Sequence, residues 1–170
     1  MLSIIFTKKE CSYSSIEYIY TENTVVIGTS QGEVIIYSMQ NGGKVLFHDD
    51  NEHASRVNCI HYDKKNQVII TGGNDQVINI WEYNAIFKAI DDKFQYSPIK
   101  FLEQLPVQDI LFVNDSWFMT ITRGTSVSEG EGRVSMWSIN VDQLSEQLKV
   151  LIKNNQHQSS DAEIKKFTEK

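Results

Sequence analysis

Cysteine is scarce: only Cys11 and Cys59 occur in 170 residues. Two cysteines cannot build the disulfide framework that holds small secreted domains together. Each falls at or beside an apolar run, where a buried, reduced thiol is expected. Basic clusters are also missing. Asp and Glu outnumber Lys and Arg by 22 to 16, a formal net charge of −6. The pairs Lys8-Lys9, Lys64-Lys65 and Lys165-Lys166 stand isolated. Nucleic acid and anionic membrane surfaces are matched by clustered cations, so neither is an expected partner. No apolar stretch approaches the roughly 20 residues of a membrane-spanning helix. The apolar run 2–6 has no basic residue before it and no cleavage-site pattern after it, so no signal peptide is expected. These absences point to a cytoplasmic, intracellular protein, in which the triplet Asn114-Asp115-Ser116 is not a glycosylation site.

What the chain does contain is short strand-like runs. At 41% hydrophobic and 11% aromatic residues it has the composition of a globular domain with a sizeable core. Runs rich in Val, Ile, Tyr and Phe occupy 16–21, 24–28, 33–38 and 44–48, then 57–62, 68–71 and 76–83, then 99–103, 107–113, 117–122 and 133–138. Gly, Asn, Asp and Ser separate them, as in β-hairpins. Several runs are apolar throughout, which is the pattern of strands buried on both faces.

The runs repeat in register. Val57, Ile60 and Tyr62 follow His53 at the same offsets at which Val107, Ile110 and Phe112 follow Glu103. Each unit closes on an aromatic, Tyr37, Trp81 or Trp137. Six positions before these stand Gln31, Asp75 and Glu131, and Gly32 and Gly132 follow the first and third of them. A glycine there suits a tight turn between strands. The unit 53–83 carries a His, a Thr, an Asp and a Trp across its loop, second strand, turn and third strand, and it resembles one repeat of a WD-repeat β-propeller. The resemblance implies an all-β partial propeller of about three four-stranded antiparallel blades, followed by a C-terminal helical tail. The blades are expected at about 1–50, 51–104 and 105–140, with a helical or flexible tail over 141–170.

The same resemblance implies roles. Trp81 would donate to Thr71, Thr71 would bond His53, and Asp75 would hold His53, a structural tetrad pinning loop, turn and strands of one blade together. A nucleophilic His–Asp–Thr reading is disfavoured because Thr71 closes an apolar strand run, out of a substrate's reach. The outer units depart from the pattern. Gln31 and Tyr37 replace the Asp and Trp of the first, while Glu103 and Glu131 take the His and Asp places of the third. Family positions that touch partners map to Arg56, Asn58 and Asn74 in the middle unit. They map to Ser15, Glu17 and Ser30 in the first and to Pro106, Gln108 and Gly130 in the third. Of these, Arg56, Asn58, Asn74, Glu17 and Gln108 are the candidate partner-binding residues.

Other chemistry is not indicated. Cys59 and His61 lack a second ligand pair at zinc spacing, and the glycine-rich turns lack the Lys-Ser/Thr ending of a phosphate loop. No metal, no cofactor and no catalytic residue are expected. Ala85, Ile86, Ala89, Ile90 and Phe94 recur at helical spacing within the insertion 84–98, so a short amphipathic helix is expected there. Val141, Leu144, Leu148, Leu151 and Ile152 repeat that spacing in the tail. The expected function is a non-catalytic scaffold for protein–protein interaction. The alternative is a structural subunit that completes a larger propeller or assembly. Closed propellers take about four to eight blades, so self-association, another chain or a longer polypeptide of which this chain is a fragment would supply the remainder.

Overall fold

The computed structural model describes residues 12–40, 43–93, 95–124 and 132–139. The chain divides into one unit, Met1–Trp137, and a second, Ser138–Lys170, of which only Ser138 and Ile139 are described. The expected tail helices, Cys11, Phe94 and Glu131 lie outside the described residues. Three antiparallel sheets follow one another along the chain. The first holds β1 (Tyr13–Ile19), β2 (Thr24–Thr29), β3 (Val34–Ser38) and β4 (Lys44–Asp49) in sequence order. The second holds β5 (Val57–Asp63), β6 (Val68–Gly73), β7 (Val77–Glu82) and β8 (Ile99–Leu102), also in order. In the third, β9 (Val107–Asn114), β10 (Trp117–Thr122) and β11 (Arg133–Ser138) lie side by side. Each is a meander, with short turns between most neighbours and longer connections from β7 to β8 and from β10 to β11.

One strand begins earlier than its sequence predicts. The run 16–21 is apolar enough to pass for a strand, yet β1 starts at Tyr13 and stops at Ile19. Asn23, at φ 49°, closes the turn into β2, and Ile16, Tyr18 and Tyr20 face solvent while Ile19 is buried. A register irregularity lies between Tyr13 and Ser15, and the inner strands of the other two sheets repeat it at Val57/Cys59 and Val107/Asp109.

Register then aligns the three sheets. Ile16, Ile60 and Ile110 pair with Ile27, Thr71 and Thr120, and Ser15, Cys59 and Asp109 pair with Gly28, Gly72 and Ile121. Tyr13, Val57 and Val107 pair with Thr29, Gly73 and Thr122. The first strand of each later sheet lies on the sheet before it: β5 on β1 and β2, and β9 on β5 and β6. Glycine makes this possible. A Cβ on Gly28 would sit 2.7 Å from Val57, and one on Gly72 would sit 2.5 Å from Val107. The same seats carry a polar staple. Ser14 Oγ donates to the Val57 carbonyl at 2.6 Å, and Asn58 Nδ2 donates to the Val107 carbonyl at 2.7 Å. At the far edge Lys65 Nζ meets Asp115 at 2.5 Å and Asn66 Nδ2 donates to the Asp115 carbonyl at 2.6 Å.

The main core lies between the first two sheets, where Val26, Val34 and Ile36 meet Val57, Ile60, Ile69 and Trp81. Helix α1 (Tyr83–Asp92) extends it by burying Tyr83 and Ile86. The expected apolar stripe of α1 is only partly used, for Ile90 stays exposed. Aromatic edges close the join, with Tyr83 against Phe87 at 5.0 Å and against Tyr62 at 5.9 Å between ring centres. Lys93, at φ 58°, ends the helix in a left-handed cap whose N–H bonds to the Ala89 and Ile90 carbonyls. Among the described residues no helix is long and apolar enough to cross a membrane.

Adding one methyl group at either glycine seat tests the stacking. Gly28→Ala and Gly72→Ala are each expected to lower unfolding free energy by about 1–3 kcal/mol, the usual cost of overpacking, read as a lower urea midpoint at unchanged slope.

Candidate functional site

The loop before β5, the strand β6, the turn after it and the strand β7 each contribute one polar side chain. Trp81 Nε1 donates to Thr71 Oγ1 at 3.0 Å. Thr71 Oγ1 lies 2.7 Å from His53 Nε2, and His53 Nδ1 lies 3.0 Å from Asp75 Oδ2. One polarity satisfies every member: the indole donates to the hydroxyl, the hydroxyl to a bare Nε2, and Nδ1–H to the carboxylate. His53, Thr71 and Trp81 are buried. Asp75 does further work at the surface end, where Oδ2 accepts from the Ala54 N–H at 2.8 Å and Oδ1 from the Val77 N–H at 3.2 Å. Burial alone would raise its pKa; bonds to His53 and to these two amides outweigh that and hold the carboxyl below its ordinary value.

Small residues make room for the network. A Cβ on Gly73 would lie 2.4 Å from Asp75 Oδ1 and 2.8 Å from His53 Nδ1. Gly32, in the β2–β3 turn at φ 94°, presses on the same loop, where a Cβ would meet the His53 carbonyl at 2.4 Å. Beside it Asn79 Nδ2 donates to the Glu52 carbonyl at 3.1 Å. Burial would raise the Glu52 pKa, but bonds from Lys100 and Ser97 outweigh it and hold the carboxyl below its ordinary value.

The outer sheets rewrite this arrangement. In the third, Trp137 Nε1 donates to Thr120 Oγ1 at 3.0 Å and Thr120 Oγ1 donates to Glu103 Oε1 at 2.6 Å. A carboxylate there accepts the proton that the imidazole accepts in the second sheet. In the first, the residue aligned with Thr71 is Ile27, and it packs with Val25, Ile35 and Tyr37 in a purely apolar cluster. Its polar bonds move toward the turn, where Thr29 Oγ1 donates to Glu33 Oε2 at 3.2 Å.

Register corrects several candidate contact positions. Glu17 pairs with Val26, as His61 pairs with Ile70, so it sits mid-strand and is not the counterpart of Asn58. That counterpart is Ser14, because β1 starts before the predicted run. Asn58 itself is engaged, donating to Asn74 Oδ1 at 2.7 Å as well as to the Val107 carbonyl, so its amide is not offered to a partner. Gln108 holds the same position in the third sheet and is exposed. Arg56 and Asn74 are exposed and joined by a backbone bond, Asn74 N–H to the Arg56 carbonyl at 2.9 Å. Ser30 to Ser12, at 2.8 Å, and Arg123 to Pro106, at 3.1 Å, repeat that bond. Arg123 is therefore the third-sheet counterpart of Asn74. Counting back from Trp137 through the insertion 126–132 gives Gly130 instead, which lies outside the described residues. The paired strand β10, which ends in Thr122 as β6 ends in Gly73, was the available signal.

Nucleophilic and metal chemistry find no support in these contacts. The Thr71 hydroxyl is buried and bonded on both sides. Burial, aided by Asp109, pushes the Cys59 thiol up to about 12, which removes the thiolate that reactivity needs. His61 Nε2 is bonded to Asp109 at 3.1 Å. Among the described residues no three His, Cys, Asp or Glu side chains gather as a metal ion requires.

Thr71→Val keeps the shape of the strand but strips the partner from both Trp81 and His53. It should cost about 1–3 kcal/mol for each group left unsatisfied, seen as a lower melting temperature. A depressed carboxylate contributes stability that is full above its unfolded pKa, about 4, and is lost as pH falls through the folded value. Stability should therefore drop below about pH 4, and Asp75→Asn should flatten that drop in unfolding curves taken from pH 7 to pH 2.

No family model matches the chain, and no curated protein does. Among solved structures, the crystal structure of the RRP9 WD40 repeats is similar in fold. Its TM-score is 0.61 at 14% identity, and the match covers 78% of this chain and 37% of that chain. The chain thus spans little more than a third of that structure's length. Similarity at this identity speaks to architecture, and with the three stacked sheets it defines the fold as an all-β partial β-propeller of the WD40 kind.

Proposed function

We propose that the chain is a non-catalytic scaffold that binds proteins or peptides along one rim of its blades. The observation that carries this reading is the repeated backbone bond at the strand ends. It sets Asn74 and Arg123 in equivalent, exposed places on neighbouring blades, with exposed Arg56 held beside Asn74. Beneath them the buried tetrad fixes the loop and the turn that present Arg56 and Asn74, so the rim is organised before a partner arrives. Two guanidinium groups on an otherwise acidic chain favour a partner segment with carboxylates, which the planar fork of Arg can hold by two parallel bonds. The WD40-like fold supports such a role in general terms, and a reduced, buried Cys59 accords with the cytoplasm.

The combined variant Arg56→Ala, Asn74→Ala, Arg123→Ala should weaken partner capture from the source cell by about tenfold or more, the scale of a lost hot spot. Its melting temperature should hold, because exposed side chains away from the network contribute little to stability. Capture at wild-type strength would remove the rim from consideration. Asn58→Ala should do the reverse, lowering stability through the lost staple with little direct effect on a rim partner.

A further inference from the structure

We infer that the cleft between β4 and the insertion 84–98 is a second binding site. Its occupant is an extended segment of a partner protein, apolar and basic in sequence, that joins β4 as an added strand. The insertion runs between β7 and β8, a connection that the first sheet makes with residues 39–43 alone. Here it brings α1 and the stretch after it beside the outermost strand of the first sheet, leaving a groove of about 340 Å³. Leu46 and Phe47 of β4 form one wall, and Ile90 and Tyr96 form the other. None of the rim residues Arg56, Asn74 and Arg123 belongs to this lining.

Both walls lean on one buried side chain. The Phe47 ring meets Trp81 edge-on at 6.0 Å between centres, and the Tyr96 ring stacks on Trp81 at 6.2 Å. Tyr96 Oη also accepts from the Glu82 N–H at 2.7 Å. Trp81 is fixed in turn by its bond to Thr71, so the width of the groove is set before anything enters it. What the walls leave uncovered is apolar: Ile90 is 43% exposed, and Val45, next to Leu46, is 48% exposed.

The strand wall decides the backbone of the occupant. β4 is an edge strand, paired with β3 on one side. Among the described residues, no backbone hydrogen bond joins 44–48 to anything but β3. Such an edge offers its outward N–H and C=O groups to an extended peptide, while the pocket beside it selects side chains. A helical segment has no backbone groups left for that edge. Charge decides the sequence. Asp49 and Asp50 line the groove at the end of β4, and no described Lys or Arg lines it. Asp49 Oδ1 accepts from the Asn51 and Glu52 amides. Asp50 is exposed, with Oδ1 accepting from Asn51 Nδ2 at 2.6 Å, and a carboxylate has room for further donors. His48 Nε2 is engaged by Glu33 Oε1 at 3.2 Å. Asp91 and Asp92 follow Ile90, against one cation, Lys93. An apolar side chain seated on Leu46 and Ile90, with Lys or Arg next to it toward Asp50, matches this lining.

A phage-displayed library of random linear peptides, selected on the full chain, tests the site. The selected sequences should include a class that sets an apolar residue beside Lys or Arg. A synthetic member of that class should shift the amide NMR signals of residues 44–51, Ile90 and Tyr96, and leave Arg56, Asn74 and Arg123 in place. Ile90→Lys should weaken its binding by about tenfold or more. Asp50→Lys should do the same, yet gain affinity for the peptide with Glu in place of its cation, which shows that the variant is folded. N-methylation of alternate peptide amides should abolish binding in one phase and spare it in the other, because alternate amides of a strand face its neighbour. The triple rim variant should bind the peptide at wild-type strength, so failure of the rim and failure of this groove are separately visible. Absence of the basic–apolar class, shifts confined to the rim, equal loss in both methylation phases, or self-association of the chain that Ile90→Lys abolishes would overturn the assignment.

Discussion

Two sheets can lie strand on strand only where one of them gives up a side chain, and in this protein that concession falls at Gly28 and Gly72. The closest contacts of one blade with the next are arranged around those two positions. The valine of the following strand fills the recess, its carbonyl comes within reach of Ser14 or Asn58, and the apolar faces behind it close to exclude water. With close-packed interiors, a single added carbon atom is felt across such a contact. The glycines therefore fix the spacing on which the burial of Val26, Ile36, Ile70 and Ile78 depends.

Within a blade the governing requirement is electrical. A buried hydroxyl or imidazole without a partner is costly, and one with all its partners is specific. The second sheet meets this with Trp81, Thr71, His53 and Asp75, and the third with Trp137, Thr120 and Glu103. The first removes the requirement by placing Ile27 where a hydroxyl would sit. Three solutions on one backbone show that the strand geometry does not demand the tetrad. What the tetrad adds is control of the loop and turn at the blade's edge, through the Asp75 bonds to Ala54 and Val77.

Much of this was legible in the sequence because repetition supplies an internal reference. The offsets from His53 and Glu103 located β5 and β9, the aromatics located β3, β7 and β11, and helical spacing located α1. The four tetrad residues are named through the resemblance to a WD repeat, and the structure places them in one chain of hydrogen bonds. The failures share a cause. Counting misplaces Glu17 because β1 begins at Tyr13, before the apolar run 16–21 that marks it, and it misses Arg123 because an insertion separates that residue from the aromatic used as a landmark. Asn58 was read as a surface contact because sequence does not reveal that its amide reaches a carbonyl forty-nine positions away. Counting along a chain reads one dimension, whereas register is a property of pairs.

Ile121 makes the outer face of the third sheet unlike the two before it. A repeat that offers a hole on one side and a knob on the other can in principle be added to itself without limit, which is how head-to-tail contacts become fibres. With a branched side chain at Ile121, the third sheet lacks the recess that seats Val57 and Val107 in the sheets before it. Val134 and Met136 stand exposed on the same face.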